Sequence, residues 1–217
     1  MLQLQNPYPQ IRQFGAFSYG GSQMWSENNM VKQCGCGVVA AQDLLLYLQR
    51  KEVSGDAQRV LTRQTYNADV LRLHKHYFPL LPHFGLNGIM LAAGVNRLFR
   101  ERGLPYRARW AFSGGKLWDR IQEMLNNDIP VILSVGPNFP AIWENNCLDF
   151  YVKNRTGEYI RSTATKAHYF TATGMDDEWL RISSWGREYF VNRKAYMEYV
   201  HQHSTYLFSN ILYVKHI

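Results

Sequence analysis

The sequence predicts an α+β fold, and three observations carry that prediction. Apolar stripes at helical spacing dominate the first half of the 217-residue chain. From His168 onward, short apolar runs are closed by turns and pair back on one another. Helices therefore come first and an antiparallel sheet second, the segregated order of an α+β protein. The length suits one domain over residues 1–217 with a full core, mainly helical over 1–112 and mainly β over 113–217.

Each element follows from local pattern. Residues 1–32 are rich in Gln, Asn, Gly, Tyr and Ser with little periodicity, and read as an extended entry segment. The first clear helix starts at Cys36 or Gly37 and runs to about Lys51. Its apolar positions Val39, Ala40, Leu44, Leu45, Tyr47 and Leu48 predict burial over much of its circumference, and Gly55 follows its end. Residues 56–80 read as a polar helix carrying Val60, Leu61, Val70, Leu71 and Leu73, broken at Pro79 and Pro82. A helix from about Leu86 to Arg102 is stopped by Gly103 and Pro105. Tyr106 to Phe112 alternates as a half-exposed strand. Ser113-Gly114-Gly115 introduces a helix from Lys116 to Asn127 with the stripe Leu117, Ile121, Met124 and Leu125. Val131 to Val135 is a buried strand. Residues 136–165 read as a long irregular insertion with a strand near Phe150 to Lys153, placed to shape recognition. Tyr169 to Thr173 is a strand, Met175 to Glu178 a turn, and Trp179 to Ser184 pairs back. A short strand from Glu188 to Val191, a helix from Arg193 to His203 and a strand from Asn210 to Lys215 complete the chain.

Composition narrows the function. The chain is 46% hydrophobic and 19% charged, as a globular protein is. Its net charge of +7 is spread singly, with the richest stretch from Arg97 to Arg109, so it reads as a solvated face and argues against a nucleic-acid partner. No apolar run approaches the ~18 residues of a membrane span. Met1 to Gly15 lacks the basic-then-apolar pattern of a secretory signal. Three cysteines, Cys34, Cys36 and Cys147, build no disulfide framework, and a reducing, cytoplasmic setting is expected. His74, His76 and His83 cluster without a cysteine nearby, so neither a metal nor another cofactor is expected.

The residues that carry chemistry are far apart in sequence. Cys34-Gly35-Cys36-Gly37 opens the apolar helix. A cysteine there meets unpaired backbone N–H groups and the positive end of the helix dipole, which favour thiolate. His168 opens a strand and can take and return the proton. The hairpin centred near Asp176 puts the residues around Ser183 almost opposite His168, so Ser183 or Ser184 can orient the imidazole, while Asp176 and Asp177 lie at the far end. An oxyanion needs a second donor besides the nucleophile's own N–H, and Gln23, Asn28, Asn29 and Gln33 are upstream amides. Cys34 is the alternative nucleophile. Cys147, in the insertion, reads as an unreactive thiol.

These segments resemble a known family. Cys36-Gly37-Val38-Val39-Ala40 through Tyr47-Leu48 resembles the nucleophile helix of papain-like cysteine peptidases, closest to the branch of bacteriocin-leader-processing peptidases. Residues 121–135 look like that family's helix and strand before the catalytic histidine. Ala167-His168-Tyr169-Phe170 looks like its histidine strand, and Ser183-Ser184-Trp185-Gly186 is similar to its Asn-Ser-Trp-Gly. The resemblance covers roughly residues 20–50 and 117–191. It implies a papain-like arrangement, with the nucleophile helix of an N-terminal helical lobe packed on a C-terminal antiparallel sheet. It also implies Cys36 as nucleophile, His168 as base and Gln23 as oxyanion amide. Ser183 stands where the family has Asn or Asp, and a hydroxyl stabilises an imidazolium less than a carboxylate would. The expected function is a cofactor-free thiol hydrolase acting on a peptide or protein. The alternatives are a weak or inactive binding module on the same fold and a Cys-dependent acyltransferase or transpeptidase.

Overall fold

The computed structural model describes residues 1–52 and 61–217. Gly55 and the first part of the polar helix expected from residue 56 lie outside the described residues.

The N-terminal segment is not simply extended. It forms the short strands β1 (Leu2–Gln3), β2 (Ile11–Gln13) and β3 (Ala16–Phe17), then a 3-10 turn at Gln23–Trp25. A six-residue helix, α1 (Asn29–Cys34), follows, capped by the Asn28 side chain accepting from the Val31 N–H at 3.0 Å. Gly35 ends α1, and α2 (Cys36–Glu52) begins at the next residue. Every residue of α2 from Gly37 to Leu48 is buried except Leu46, which is half-buried. That is the expected wide apolar face, pressed between the sheet and the next helices. Fully burying one of its leucines stabilises the fold by roughly 1.5–3 kcal/mol.

The first described part of the expected polar helix divides. Leu61–Thr62 is a strand, β4, and α3 (Arg63–His76) starts after a capping box between Thr62 and Thr65. Then come α4 (Gly88–Glu101), β5 (Tyr106–Trp110), α5 (Leu117–Asn126) and β6 (Val131–Val135). Within the segment expected as an irregular insertion, the strand expected near Phe150 to Lys153 is β7 (Leu148–Lys153), and it pairs with a strand that was not expected, β8 (Tyr159–Thr165), in a long antiparallel hairpin. β9 (His168–Met175), β10 (Trp179–Ser184), β11 (Arg187–Asn192), α6 (Arg193–His203) and β12 (Ile211–His216) finish the chain.

Among the described residues there are six helices and one large antiparallel sheet, so the fold is α+β. The sheet runs β5-β12-β6-β9-β10-β11-β7-β8, with β1 added beside β9. A small second sheet joins β3, β2 and β4. The central strand β9 is the organising element. β6 flanks it with Val135 opposite His168, β10 flanks it on the other side, and α2 packs across it. No described helix is long and apolar enough to cross a membrane.

Candidate functional site

Two backbone events place Cys36. The Gly35 N–H donates to Val31 O at 2.8 Å and closes α1, and the Gly35 carbonyl accepts from Val39 N–H at 3.0 Å and opens α2. Cys36 thus occupies the first turn of α2, where backbone N–H groups lack partners within the helix. Its side chain is half-buried. Burial pushes the thiol pKa up, and the backbone N–H groups of Tyr169 and Gly37 pull it only partly back. The helix N-terminus favours thiolate, but in the fold desolvation is the larger effect.

His168 opens β9 and is 7% exposed. Its Nε2 is 2.8 Å from the Ser184 hydroxyl. Trp185 stacks on the imidazole with ring centroids 4.3 Å apart and planes 20° from parallel, and Phe150 lies 6.5 Å away. Burial lowers the imidazole pKa from 6.5 to about 3, so the ring is neutral at neutral pH. The resting pair is therefore an uncharged thiol and an uncharged imidazole.

Of the two serines expected near His168, Ser184 is the one within hydrogen-bond reach of its imidazole, while Ser183 lines the same pocket without touching it. Arg181 pairs with Gly174, but Ile182 pairs with Ala172, so the register shifts by one residue and Thr173 has no opposite number. Beyond this bulge, Ile182 and Ser184 share the sheet face of Ala172, Phe170 and His168. Ser183 falls on the Thr171 face. There its hydroxyl donates to Tyr19 O at 2.8 Å and ties the entry segment to the sheet.

Gln23 is buried in the 3-10 turn and lines the same pocket as Cys36, His168 and Ser184. Its amide donates to Lys32 O at 3.0 Å and to Gln33 O at 3.4 Å, holding the last turn of α1 beneath the cysteine. The other upstream amides lie elsewhere: Asn28 caps α1, Asn29 begins it, and Gln33 is exposed. Cys34 ends α1 half-buried against the core, and Cys147 is exposed. Asp176 caps the distant hairpin turn by accepting from the Glu178 and Trp179 N–H groups. Among the described residues, no group of three or more His, Cys, Asp and Glu side chains is arranged to hold a metal.

The pocket between α2 and the sheet is small, a cavity of about 10 Å³, space for roughly one water. Beyond Trp185, which lines both, lies a cavity of about 540 Å³. Phe17, Met24, Trp25 and Tyr189 supply apolar surface there, and Arg187 a positive charge. Sequence reasoning missed one residue of the small pocket that had a visible signal. Asp43 is a carboxylate in the otherwise apolar run of α2, two turns after Cys36 on the same helix face.

No family model matches the sequence, and no curated protein matches it. Among solved structures, a candidate C39-like peptidase from Bacillus anthracis aligns over 98% of this chain and 97% of its own, with a TM-score of 0.51 and 14% sequence identity. At that identity the likeness is one of fold, and it spans nearly the whole of both chains.

Proposed function

We propose that the protein is a papain-like thiol peptidase that cleaves a peptide or protein through Cys36 and His168. The observation that carries this reading is the meeting of three distant segments in one pocket: the first turn of α2, the first residue of β9 and the last residue of β10. With Nε2 engaged by Ser184, Nδ1 of His168 is the nitrogen left for the Cys36 thiol proton. The Cys36 sulfur attacks the substrate carbonyl carbon as His168 takes that proton. The developing oxyanion is met by the Cys36 backbone N–H and by the Gln23 amide on its release from the α1 carbonyls. The C–N bond then breaks, the amine leaves with the proton from His168, and water hydrolyses the thioester. The opening Cys36-Gly37 motif favours the leader-processing branch of the family. The fold likeness to a candidate C39-like peptidase supports a peptidase scaffold. The cavity beyond Trp185 suits a peptide with a large apolar side chain. Free cysteines fit a reducing, cytoplasmic setting.

A second reading, a binding module without turnover, is favoured by one observation: burial leaves both Cys36 and His168 uncharged at rest. Iodoacetamide labelling of Cys36, located by mass spectrometry across pH, separates the two. Because burial holds the Cys36 thiol above its ordinary pKa, the peptidase reading expects labelling near neutral pH to depend on His168 as base, with His168→Ala slowing it about tenfold or more. Labelling that tracks an ordinary thiol and ignores His168 sinks the peptidase reading.

A further inference from the structure

Beneath the small pocket lies a buried carboxylate that the mechanism above does not use. Asp43 is 2% exposed. Its two oxygens accept the Gly21 backbone N–H at 3.2 and 3.0 Å, the Tyr66 hydroxyl at 2.7 Å and the Tyr8 hydroxyl at 3.3 Å. Gly21 stands two residues before Gln23, so this cluster fixes the strand of chain that carries the pocket's amide. The fit is close. Gly20 has φ +73°, and a methyl group there would strike both the Ser183 hydroxyl and the Asp43 carboxylate, while one at Gly21 would overlap the Tyr66 hydroxyl.

We propose that Asp43 is a positioning residue, whose carboxylate clamps the Gly20–Gln23 segment so that Gln23 can serve an oxyanion formed at Cys36. This rests on the reading of Cys36 as an acyl-accepting nucleophile. The clamp needs an acceptor for three donors at once. Protonation turns one oxygen into a donor and takes away the negative charge that draws all three donors in, which loosens the clamp. Burial raises the Asp43 pKa from 3.8 to about 6, against the opposing pull of the Gly21 N–H, Tyr66, Tyr8 and the more distant Arg50. The titratable neighbours are therefore Tyr66 from α3, Tyr8 from the entry segment, Arg50 and Cys36 from α2 itself, and His168 from β9 across the pocket. Thr171 and Ser183 hydroxyls from the sheet lie beside Tyr8.

The test compares two reagents on the full chain. With p-nitrophenyl acetate, the Cys36 sulfur bonds the acetyl carbon, the carbon–oxygen bond breaks and p-nitrophenolate leaves; that step passes through an oxyanion. Iodoacetamide alkylates the same thiolate without one. The ratio of the two rates, read by mass spectrometry at Cys36 from pH 4.5 to 8, cancels ionisation of the thiol and reports the oxyanion side. In the wild type the ratio is expected to fall about tenfold below an inflection near pH 6. Asp43→Asn should hold it at the low value at every pH. Tyr66→Phe, which removes one stabilising donor, should move the inflection to higher pH, and it keeps the proposal testable should Asp43→Asn not fold. A flat wild-type ratio, or an inflection that survives Asp43→Asn or stays put in Tyr66→Phe, overturns the proposal. Alkylation without any Cys36 acylation in the wild type overturns the nucleophile reading and, with it, this one.

Discussion

Two buried aspartates staple the same N-terminal segment to the core by the same chemistry, in different places. Asp128, in the turn after α5, accepts the Gln5 N–H at 2.7 Å, the Asn6 side-chain amide at 2.6 Å and the Tyr47 hydroxyl. Asp43, on α2, accepts the Gly21 N–H and the hydroxyls of Tyr66 and Tyr8. Each carboxylate thus gathers a backbone N–H and tyrosine hydroxyl from separate elements. Only Asp43 lines the Cys36 pocket. The comparison teaches that a buried polar network does not announce its role by its composition. Location decides whether loosening it costs stability or reactivity.

The largest expected effect breaks the staple remote from the pocket. Asp128→Ala removes the acceptor of the Gln5 N–H, the Asn6 amide and the buried Tyr47 hydroxyl, which together tie the N-terminal segment to α2; a buried hydroxyl that loses its partner costs about 1–3 kcal/mol. The substitution also puts alanine at φ +55°. A loss of about 3 kcal/mol or more is expected in urea unfolding, with Cys36 labelling per folded molecule unchanged. Asp43→Asn should behave oppositely: stability at pH 8 equal to wild type or higher, because a desolvated charge is gone, with the oxyanion-side reactivity lost. If both variants lose stability alone, the contrast between the two staples disappears.

The next effect sharpens the contrast at the scale of adjacent residues. Ser184→Ala removes the partner of His168 Nε2 and should slow iodoacetamide labelling of Cys36 at pH 7 about tenfold. Ser183→Ala removes the hydroxyl that donates to the Tyr19 carbonyl; about 1 kcal/mol of stability is expected to go, with labelling preserved. The reverse pattern would put Ser183 back in the role that the family resemblance implies.

Those two serines also mark where the sequence stops being legible. The α2 helix could be read from its apolar run after Gly35, and the β9–β10 hairpin from its alternation and turn. Which serine faces His168 could not, because one bulged residue at Thr173 reverses the parity of everything beyond it and leaves no local mark. The six-residue α1 is too short to show a period. The edge strand β8 hides its pattern because most of its side chains meet water rather than core. The bond from Ser183 to Tyr19 joins residues 164 apart, a pairing that only the finished fold specifies. Asp43 is different: a carboxylate amid Val, Ala and Leu was visible and asked for a partner.

The smallest net effect in the wild type comes from a pair of opposed pH slopes. The His168 pKa is lowered to about 3, so unfolding takes up a proton once pH falls below 6.5, and this residue's contribution to stability declines as pH drops from 6.5 toward 3. The Asp43 pKa is raised to about 6, so the native state holds a proton that the unfolded chain releases. Its contribution declines as pH rises from 3.8 toward 6. Between about pH 4 and 6 the two act against each other, each with a limiting slope of about 1.4 kcal/mol per pH unit. Urea midpoints at pH 4.5, 5, 5.5 and 6 separate them. Relative to wild type, His168→Ala should gain stability on acidification, because the Asp43 slope is left alone. Asp43→Asn should lose it, because the His168 slope is left alone. Parallel profiles for all three proteins would mean that neither group is buried as the fold has it, and the pocket would then be open to water at rest.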